Sequence, residues 1–201
     1  MYTLASGGTR NRPFHWSTEA FVDKPTHVEF SWKRDALGMG ALQIHNLQAN
    51  DTRWVQSVPV SPDTWYRVSG WVKAENIGKD KMGAYISVMG TFNNSVDLRG
   101  TKGWQRVGFW VKTGELDTKL QIGCRVGGYS SLNTGRAWFT GISVEAAGVP
   151  QAQGGKIYGG DPNQKTDDGT LWMQVMTVLI VVGLVLLLGR YVLPPRSHNP
   201  P

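Results

Sequence analysis

The stretch TWYRVSGWVKAENI, residues 64–77, alternates between two kinds of side chain along its length. One set is apolar or small and comprises Tyr66, Val68, Gly70 and Val72. The other set mixes aromatic, polar and charged groups and comprises Trp65, Arg67, Ser69, Trp71 and Lys73. Because successive side chains of an extended strand point to opposite faces, this pattern predicts a strand with one face in a core and a mixed face on the other side.

Six other segments repeat this character on either side of that stretch. They are rich in β-branched and aromatic residues, and clusters of Gly, Pro, Asn and Asp separate them. Their ranges are 41–47, 52–60, 83–92, 103–113, 119–128 and 136–146. No long amphipathic helix interrupts the series. The sequence therefore predicts an all-β fold, a jelly-roll β-sandwich over residues 1–147.

The mixed faces of three of these strands carry the candidate binding residues. Large aromatic side chains on a polar sheet face indicate a contact surface. The surface that we expect to meet a ligand or a partner comprises Trp71, Trp110, Arg67, Arg106 and Arg125. Three explanations stay open: a sugar ring stacks on the tryptophans, a partner protein packs there, where Trp and Arg are enriched, or the N-terminal 30 residues or a long loop fold over them.

Three segments resemble the galactose-binding-like jelly rolls, a group that includes many carbohydrate-binding modules of secreted glycosidases. They read WVQSVPVSPDTWYRVSGWVKAEN (54–76), GTKGWQRVGFWVKTGE (100–115) and GRAWFTGISVE (135–145). The resemblance covers roughly residues 40–147. It implies the jelly-roll fold and says little about a ligand, because such folds host many functions.

The last strand departs from that family's pattern. It often reads Trp-Phe-Asp-Asp in the family, and here residues 138–141 read Trp-Phe-Thr-Gly. The change removes acids near a position where such modules can hold a structural calcium. Glu29 and Glu145 remain as oxygen ligands, too few for a cation that takes six or more oxygens. We therefore expect no cofactor, with calcium as the one metal to consider.

Residues 170–189 carry no charge and are nearly all apolar. At a rise of about 1.5 Å per residue, they span roughly 30 Å, the thickness of the bilayer hydrocarbon. Trp172, Arg190 and Tyr191 are expected at the membrane interface, which favours amphipathic rings and basic side chains. The sequence predicts a flexible linker over 148–169, a transmembrane helix over 170–190 and a short tail over 191–201. Within the linker, Ile157 and Tyr158 are the side chains able to pin it to a neighbour.

The orientation of that helix follows from its flanking residues. Arg190, close to the hydrocarbon, favours a cytoplasmic C-terminus and a periplasmic or extracellular β-sandwich. The opening stretch MYTLASGGTRNRPFHW lacks the apolar core of a signal peptide. A cytoplasmic β-sandwich is therefore expected instead if Met1 is the native start.

Neither charge nor motif indicates an enzyme or a nucleic-acid binder. The net charge is +6, and the basic residues are interspersed with acids rather than gathered in a stripe. The four histidines lack metal-ligand spacing, and no catalytic motif is present. Cys124 alternates with apolar residues in KLQIGCRVGG, which predicts a core position.

These features predict a non-catalytic, single-pass membrane accessory subunit. Its β-sandwich would brace or cap a larger membrane complex, whether photosynthetic, respiratory or glycosyl-transferring, and its partners would be other membrane subunits and the lipid bilayer. The alternative is a membrane-tethered carbohydrate-binding module that binds a glycan.

Overall fold

The computed structural model describes residues 2–3, 8–9, 12–13, 15–34, 40–150 and 156–158. The predicted membrane helix over 170–190, with Trp172, Arg190 and Tyr191, lies outside these residues, as does the predicted tail. Within the described ranges, no helix has the length and apolar character needed to cross a membrane.

The described chain is made of strands joined by turns. Their bounds are β1 (Tyr2–Thr3), β2 (Gly8–Thr9), β3 (Arg12–Pro13), β4 (Ser17–Ala20), β5 (Val28–Arg34), β6 (Gly40–Asn50), β7 (Thr52–Pro59), β8 (Trp65–Ile77), β9 (Ala84–Val88), β10 (Gly100–Lys112), β11 (Lys119–Val126), β12 (Asn133–Ala147) and β13 (Lys156–Tyr158). All seven segments that the sequence predicts as strands contain one, so the all-β prediction is confirmed.

The strands form two main sheets. The larger sheet has the order β13-β10-β8-β12-β6-β5, and β1 also pairs with β12. The smaller sheet has the order β4-β7-β11-β9. Pairing is antiparallel throughout both sheets except between β10 and β13. This two-sheet arrangement is the sandwich architecture that the alternating strands predict.

The core lies between the inner faces of the two sheets. The alternation along β8 predicts this from Gly70 onward, whereas Trp65 and Ser69, which it places on the outer face, are also buried. Val68 and Val72 are completely buried there, whereas Trp71 on the opposite face is exposed. The largest fully buried side chains come from both sheets and include Phe109, Phe139, Ile44, Ile86 and Ile122. Each such side chain stabilises the fold by about 1.5–3 kcal/mol relative to an exposed position.

Cys124 also lies in this core, as predicted. Its side chain is completely buried, and that burial raises the pKa of the thiol far above its usual range. The thiolate, which is the reactive form of cysteine, is therefore strongly disfavoured in the folded protein.

One end of the sandwich is closed by buried asparagine side chains. Asn133 accepts a hydrogen bond from the Gly78 backbone N–H at 2.9 Å and donates to the backbone oxygens of Gly78 and Met82 at 3.0 and 2.8 Å. Asn46 donates to the Asn133 backbone oxygen at 3.0 Å. These bonds tie the turn after β8 to the start of β12, because buried polar groups need partners within the protein.

The segment predicted as a flexible linker contains a strand. β13 pairs in parallel with the end of β10, with Lys156 opposite Phe109, Ile157 opposite Trp110 and Tyr158 opposite Val111. The residues around Ile157 and Tyr158 therefore extend the edge of the larger sheet.

Candidate functional site

Three tryptophans lie on the outer face of the larger sheet, on three neighbouring strands. Trp110 on β10 faces Arg67 across the β8 pairing. Trp71 on β8 faces Arg106 on one side and Thr140 on the other. Trp138 on β12 faces Lys73. We call the outer surface formed by Trp110, Trp71, Trp138 and their strand neighbours the tryptophan face.

The three rings follow a diagonal across the sheet. With strands about 4.8 Å apart and a rise of about 3.3 Å per residue, the Cα atoms of Trp71 and Trp138 are roughly 8 Å apart. The same geometry puts the Cα atoms of Trp71 and Trp110 roughly 14 Å apart. This arrangement gives an extended aromatic strip rather than a single aromatic point.

Exposure differs among these rings. Trp71 keeps 43% of its surface in contact with solvent, whereas Trp110 and Trp138 are partly buried. Trp104, two residues before Arg106 on β10, is 44% exposed. Such aromatic surface on a sheet face favours contact with a ligand or partner.

The described N-terminal strands do not cover this face. β1 pairs with Ser143 and Val144 of β12, within the plane of the larger sheet. β4 pairs with β7, at the edge of the smaller sheet. The described N-terminal residues therefore leave Trp71 exposed, whereas Trp65 and Ser69, nearer the start of β8 on the same face, are buried.

Cations lie over two of the three rings. The Lys73 Nζ is 4.7 Å from the Trp138 ring centroid, and the Arg67 Cζ is 5.8 Å from that of Trp110. The Trp138 indole N–H also donates to the Gln43 side-chain oxygen at 3.1 Å. Cation–π contacts of this kind are worth about 0.5–1 kcal/mol at exposed sites. They hold Trp110 and Trp138 in place, and no cation of the described residues lies over Trp71.

The backbone beside Trp71 is shaped by a glycine. The β8–β12 register is irregular between Thr140 and Ser143, and Gly141 there has a φ of 58°. A Cβ at Gly141 would come within 3.4 Å of the Trp71 Cδ1. Glycine adopts this left-handed conformation readily, and it leaves the edge of the Trp71 ring uncrowded.

Acidic side chains on the face lie away from Trp71, and each has a basic neighbour. Glu75 forms an ion pair with Arg136 at 3.5 Å. Glu145 lies directly across from Arg67 in the strand register. Among the described residues, no ion pair involves Arg106 or Lys73. Arg106 and Lys73, the cations nearest to Trp71, thus form no ion pair with an acid of the described residues.

Arg125 lies apart from the other residues that the sequence groups with it. It is on β11, in the smaller sheet, where its Nε donates to Asp51 at 2.6 Å and its Nη2 contacts the second carboxylate oxygen. Its guanidinium also lies 6.0 Å from the Tyr85 ring centroid, and burial raises the pKa of Tyr85 to about 12. The structure brings Trp71, Trp110, Arg67 and Arg106 together and leaves Arg125 in a separate ion-pair cluster.

Three residues that the sequence analysis did not select belong to the tryptophan face: Lys73, Arg136 and Trp138. Trp138 lies between the core residues Ala137 and Phe139. The alternation rule that identified Trp71 therefore also places Trp138 outside, and this signal was available in the sequence.

Glu29 and Glu145 do not share a cation site. Glu29 faces His45 on β6, which faces Arg136 on β12. Arg136 precedes Glu145 by nine residues along the same strand, which separates the two acids by roughly 30 Å. The described residues contain no group of three or more His, Cys, Asp or Glu side chains able to hold a metal ion. The two carboxylates do not fit a shared calcium site.

No protein-family model matches the sequence, and no curated protein matches it. The structure is similar to several solved structures. The enzymatically active domain of bacteriophage CBA120 tailspike protein 4 matches 67% of this chain with a TM-score of 0.51 and 8% identity, and the chain spans 20% of that protein's length.

Two further structures are carbohydrate-binding modules. The family 11 module of a cellulosomal cellulase of Clostridium thermocellum has 14% identity and a TM-score of 0.44, covering 73% of this chain and 94% of that one. TmCBM61, in complex with β-1,4-galactotriose, has 15% identity and a TM-score of 0.42, covering 66% and 88%. At these identities and TM-scores, neither structure says what this chain binds, and the ligand has to be argued from the site.

Proposed function

We propose that this protein binds a glycan, without turning it over, through the tryptophan face. The observation that carries the proposal is the position of Trp71. Its ring is exposed at the centre of the face, with Arg106 and Thr140 directly beside it on the two neighbouring strands.

Sugar rings fit this combination of groups. A pyranose presents a patch of C–H bonds on its ring face and hydroxyl groups around its rim. The C–H patch packs on the electron-rich face of an indole, which carries the negative part of the ring quadrupole. The hydroxyls meet hydrogen-bonding side chains, here Thr140 and Arg106 beside Trp71 and Gln43 beside Trp138. Ligand sites commonly combine apolar contact area with a few placed polar groups in this way.

The arrangement of acids supports binding rather than hydrolysis. Glycosidases place two carboxylates on either side of the scissile bond, about 5–10 Å apart. On the tryptophan face, Glu75 pairs with Arg136, and Glu145 faces Arg67 at the other end of the strand pair. Their separation, eight or more residues along the sheet, is roughly 25 Å or more. We therefore propose a binding role for this chain.

The membrane tether extends this proposal. The transmembrane helix over 170–190 and the extracytoplasmic position of the β-sandwich are predictions from the sequence. With them, the protein is a membrane-tethered glycan-binding module. The accessory-subunit hypothesis uses the same tether but requires the tryptophan face to be covered by another protein. The glycan-binding proposal needs no further component to explain the exposed Trp71.

A glycan array tests the proposal. The full chain, in mild detergent, is expected to bind at least one class of oligosaccharide, and Trp71→Ala is expected to weaken that binding about tenfold. The estimate takes stacking of one ring as about 1–3 kcal/mol, by analogy with base–aromatic stacking, and tenfold corresponds to about 1.4 kcal/mol. The matched control is Tyr129→Ala, which removes a 91% exposed aromatic in the turn after β11. An array that stays blank with the wild-type chain, or binding that survives Trp71→Ala unchanged, would contradict the proposal.

A further inference from the structure

The charges around Trp71 are unequal. Within the stretch of β10, β8 and β12 that surrounds this ring, the outer face carries the cations Arg67, Lys73, Arg106 and Arg136 and the acids Glu75 and Glu145. Four cations against two acids leave an excess of two positive charges. The excess positive charge is concentrated near Trp71, because each of the two acids lies beside an arginine at one end of the aromatic strip.

The two cations closest to Trp71 are Arg106 and Lys73, and neither forms an ion pair with an acid of the described residues. Arg106 lies directly across from it on β10. Lys73 lies two residues further along β8, on the same face. Adjacent strands are about 4.8 Å apart, and residues two apart on a strand are about 6.6 Å apart. A ring that stacks on Trp71 therefore lies between the two charged groups, with Arg106 on the β10 side and the Lys73 ammonium, which lies over Trp138, on the β12 side.

Their chemistry suits an anion. The guanidinium of Arg106 has a planar fork of donors that matches a carboxylate or sulfate in a two-point contact. Lys73 supplies a point charge, and its contact with the Trp138 ring holds the ammonium near the sheet surface. A neutral sugar would use neither charge fully, whereas an anionic sugar gains a charge-assisted hydrogen bond in addition to stacking.

We propose that the glycan recognised by the tryptophan face is anionic, with its carboxylate or sulfate groups held by Arg106 and Lys73 while a ring stacks on Trp71. This inference rests on the proposed glycan-binding function and specifies the ligand class. The excess positive charge also raises the local concentration of acidic chains before contact. Because the site is open, its electrostatic part is screened over about 8 Å at physiological salt.

The test compares oligosaccharides of equal length that differ in charge. Oligogalacturonate, a sulfated galactose oligomer and neutral oligogalactose are titrated against the full chain in mild detergent at low and physiological salt. The acidic oligomers are expected to bind at least tenfold more tightly than the neutral one, with an advantage that falls as salt rises. The relative affinity of the two acidic oligomers distinguishes a carboxylate ligand from a sulfate ligand.

Variants locate the anion. Arg106→Gln is expected to weaken acidic binding about tenfold, in line with a lost charge-assisted hydrogen bond, and to weaken neutral binding much less, because glutamine can still donate a hydrogen bond to a hydroxyl. Lys73→Gln is expected to weaken acidic binding by a smaller factor, about threefold, as for an exposed charge contact. The matched control is Lys119→Gln, which removes an exposed lysine from β11 of the smaller sheet and should change neither affinity.

The outcomes separate the two proposals. If neutral and acidic oligomers bind equally and Arg106→Gln has no effect on either affinity, the proposal of an anionic ligand is wrong and the proposal of glycan binding stands. If no oligomer binds, both are wrong. If acidic binding is lost with Arg106→Gln but survives Trp71→Ala, the contact is a charge contact without sugar stacking, and both are overturned.

Discussion

Replacing Asn133 with alanine should destabilise the β-sandwich without touching the tryptophan face. The Asn133 side chain is 3% exposed and makes four hydrogen bonds to backbone groups of Gly78, Met82 and Thr134. Alanine at this position removes all four hydrogen bonds at once. At about 1 kcal/mol for each bond, the loss would be about 4 kcal/mol. Because Gly78 and Met82 are only partly buried, water can replace some partners, and we expect about 3 kcal/mol.

Urea unfolding followed by tryptophan fluorescence measures this loss in the free energy of unfolding. Amide hydrogen exchange gives a second, local readout, since the Gly78 and Thr134 amides lose their acceptor. The control is Thr134→Ala at the exposed neighbouring position, which should stay within about 0.5 kcal/mol of wild type. If Asn133→Ala is equally mild and both amides keep their protection, the asparagine is not what closes this end of the sandwich.

Two further predictions concern ion pairs away from the face. Arg125→Met leaves the Asp51 carboxylate without its main partner and should lower the free energy of unfolding by about 2 kcal/mol. This value is smaller than that of a fully buried pair because both groups are partly exposed. Glycan affinity should not change, and a large loss of affinity would instead link Arg125 to the tryptophan face. For Asp97, burial raises the pKa of the carboxyl, but hydrogen bonds from Arg99 and the Gly83 backbone N–H outweigh it and hold that pKa below its usual value. Its stabilising contribution is therefore present above about pH 4, the range of an unfolded Asp, and is lost as the pH falls further. Asp97→Asn should flatten that part of the stability–pH curve, and an unchanged curve would show that Asp97 does not contribute.

Strand positions were predictable because the burial of one face imposes a two-residue period. The stretch 64–77 and the observed strand Trp65–Ile77 differ by one residue. The two-residue period does not predict where a strand ends when the chain folds back on itself. The predicted strand 83–92 ends at Val88, because Gly90 has a φ of 75° and the chain returns so that Asn94 bridges to Ser87.

The candidate site was predictable only in part. Alternation shows whether a side chain points into or out of a sandwich, and it correctly placed Trp71, Trp110 and Arg106 outside. It carries no information on which of two sheets a strand joins, since that depends on pairing between distant segments. Arg125 was grouped with the tryptophans for this reason, although β11 pairs with β7 and β9.

The short strand β13 has a mechanical consequence for a protein attached through its C-terminal part. It holds the chain against β10 at the level of Trp110 by three residue pairs, each backbone bond contributing about 1 kcal/mol. Tension from beyond Tyr158 loads these few bonds before it reaches β12. Once they separate, the stretch 148–158 can span at most about 36 Å at roughly 3.3 Å per residue. With the proposed tether and glycan binding, this edge of the sheet would separate under load before the central strands of the sandwich.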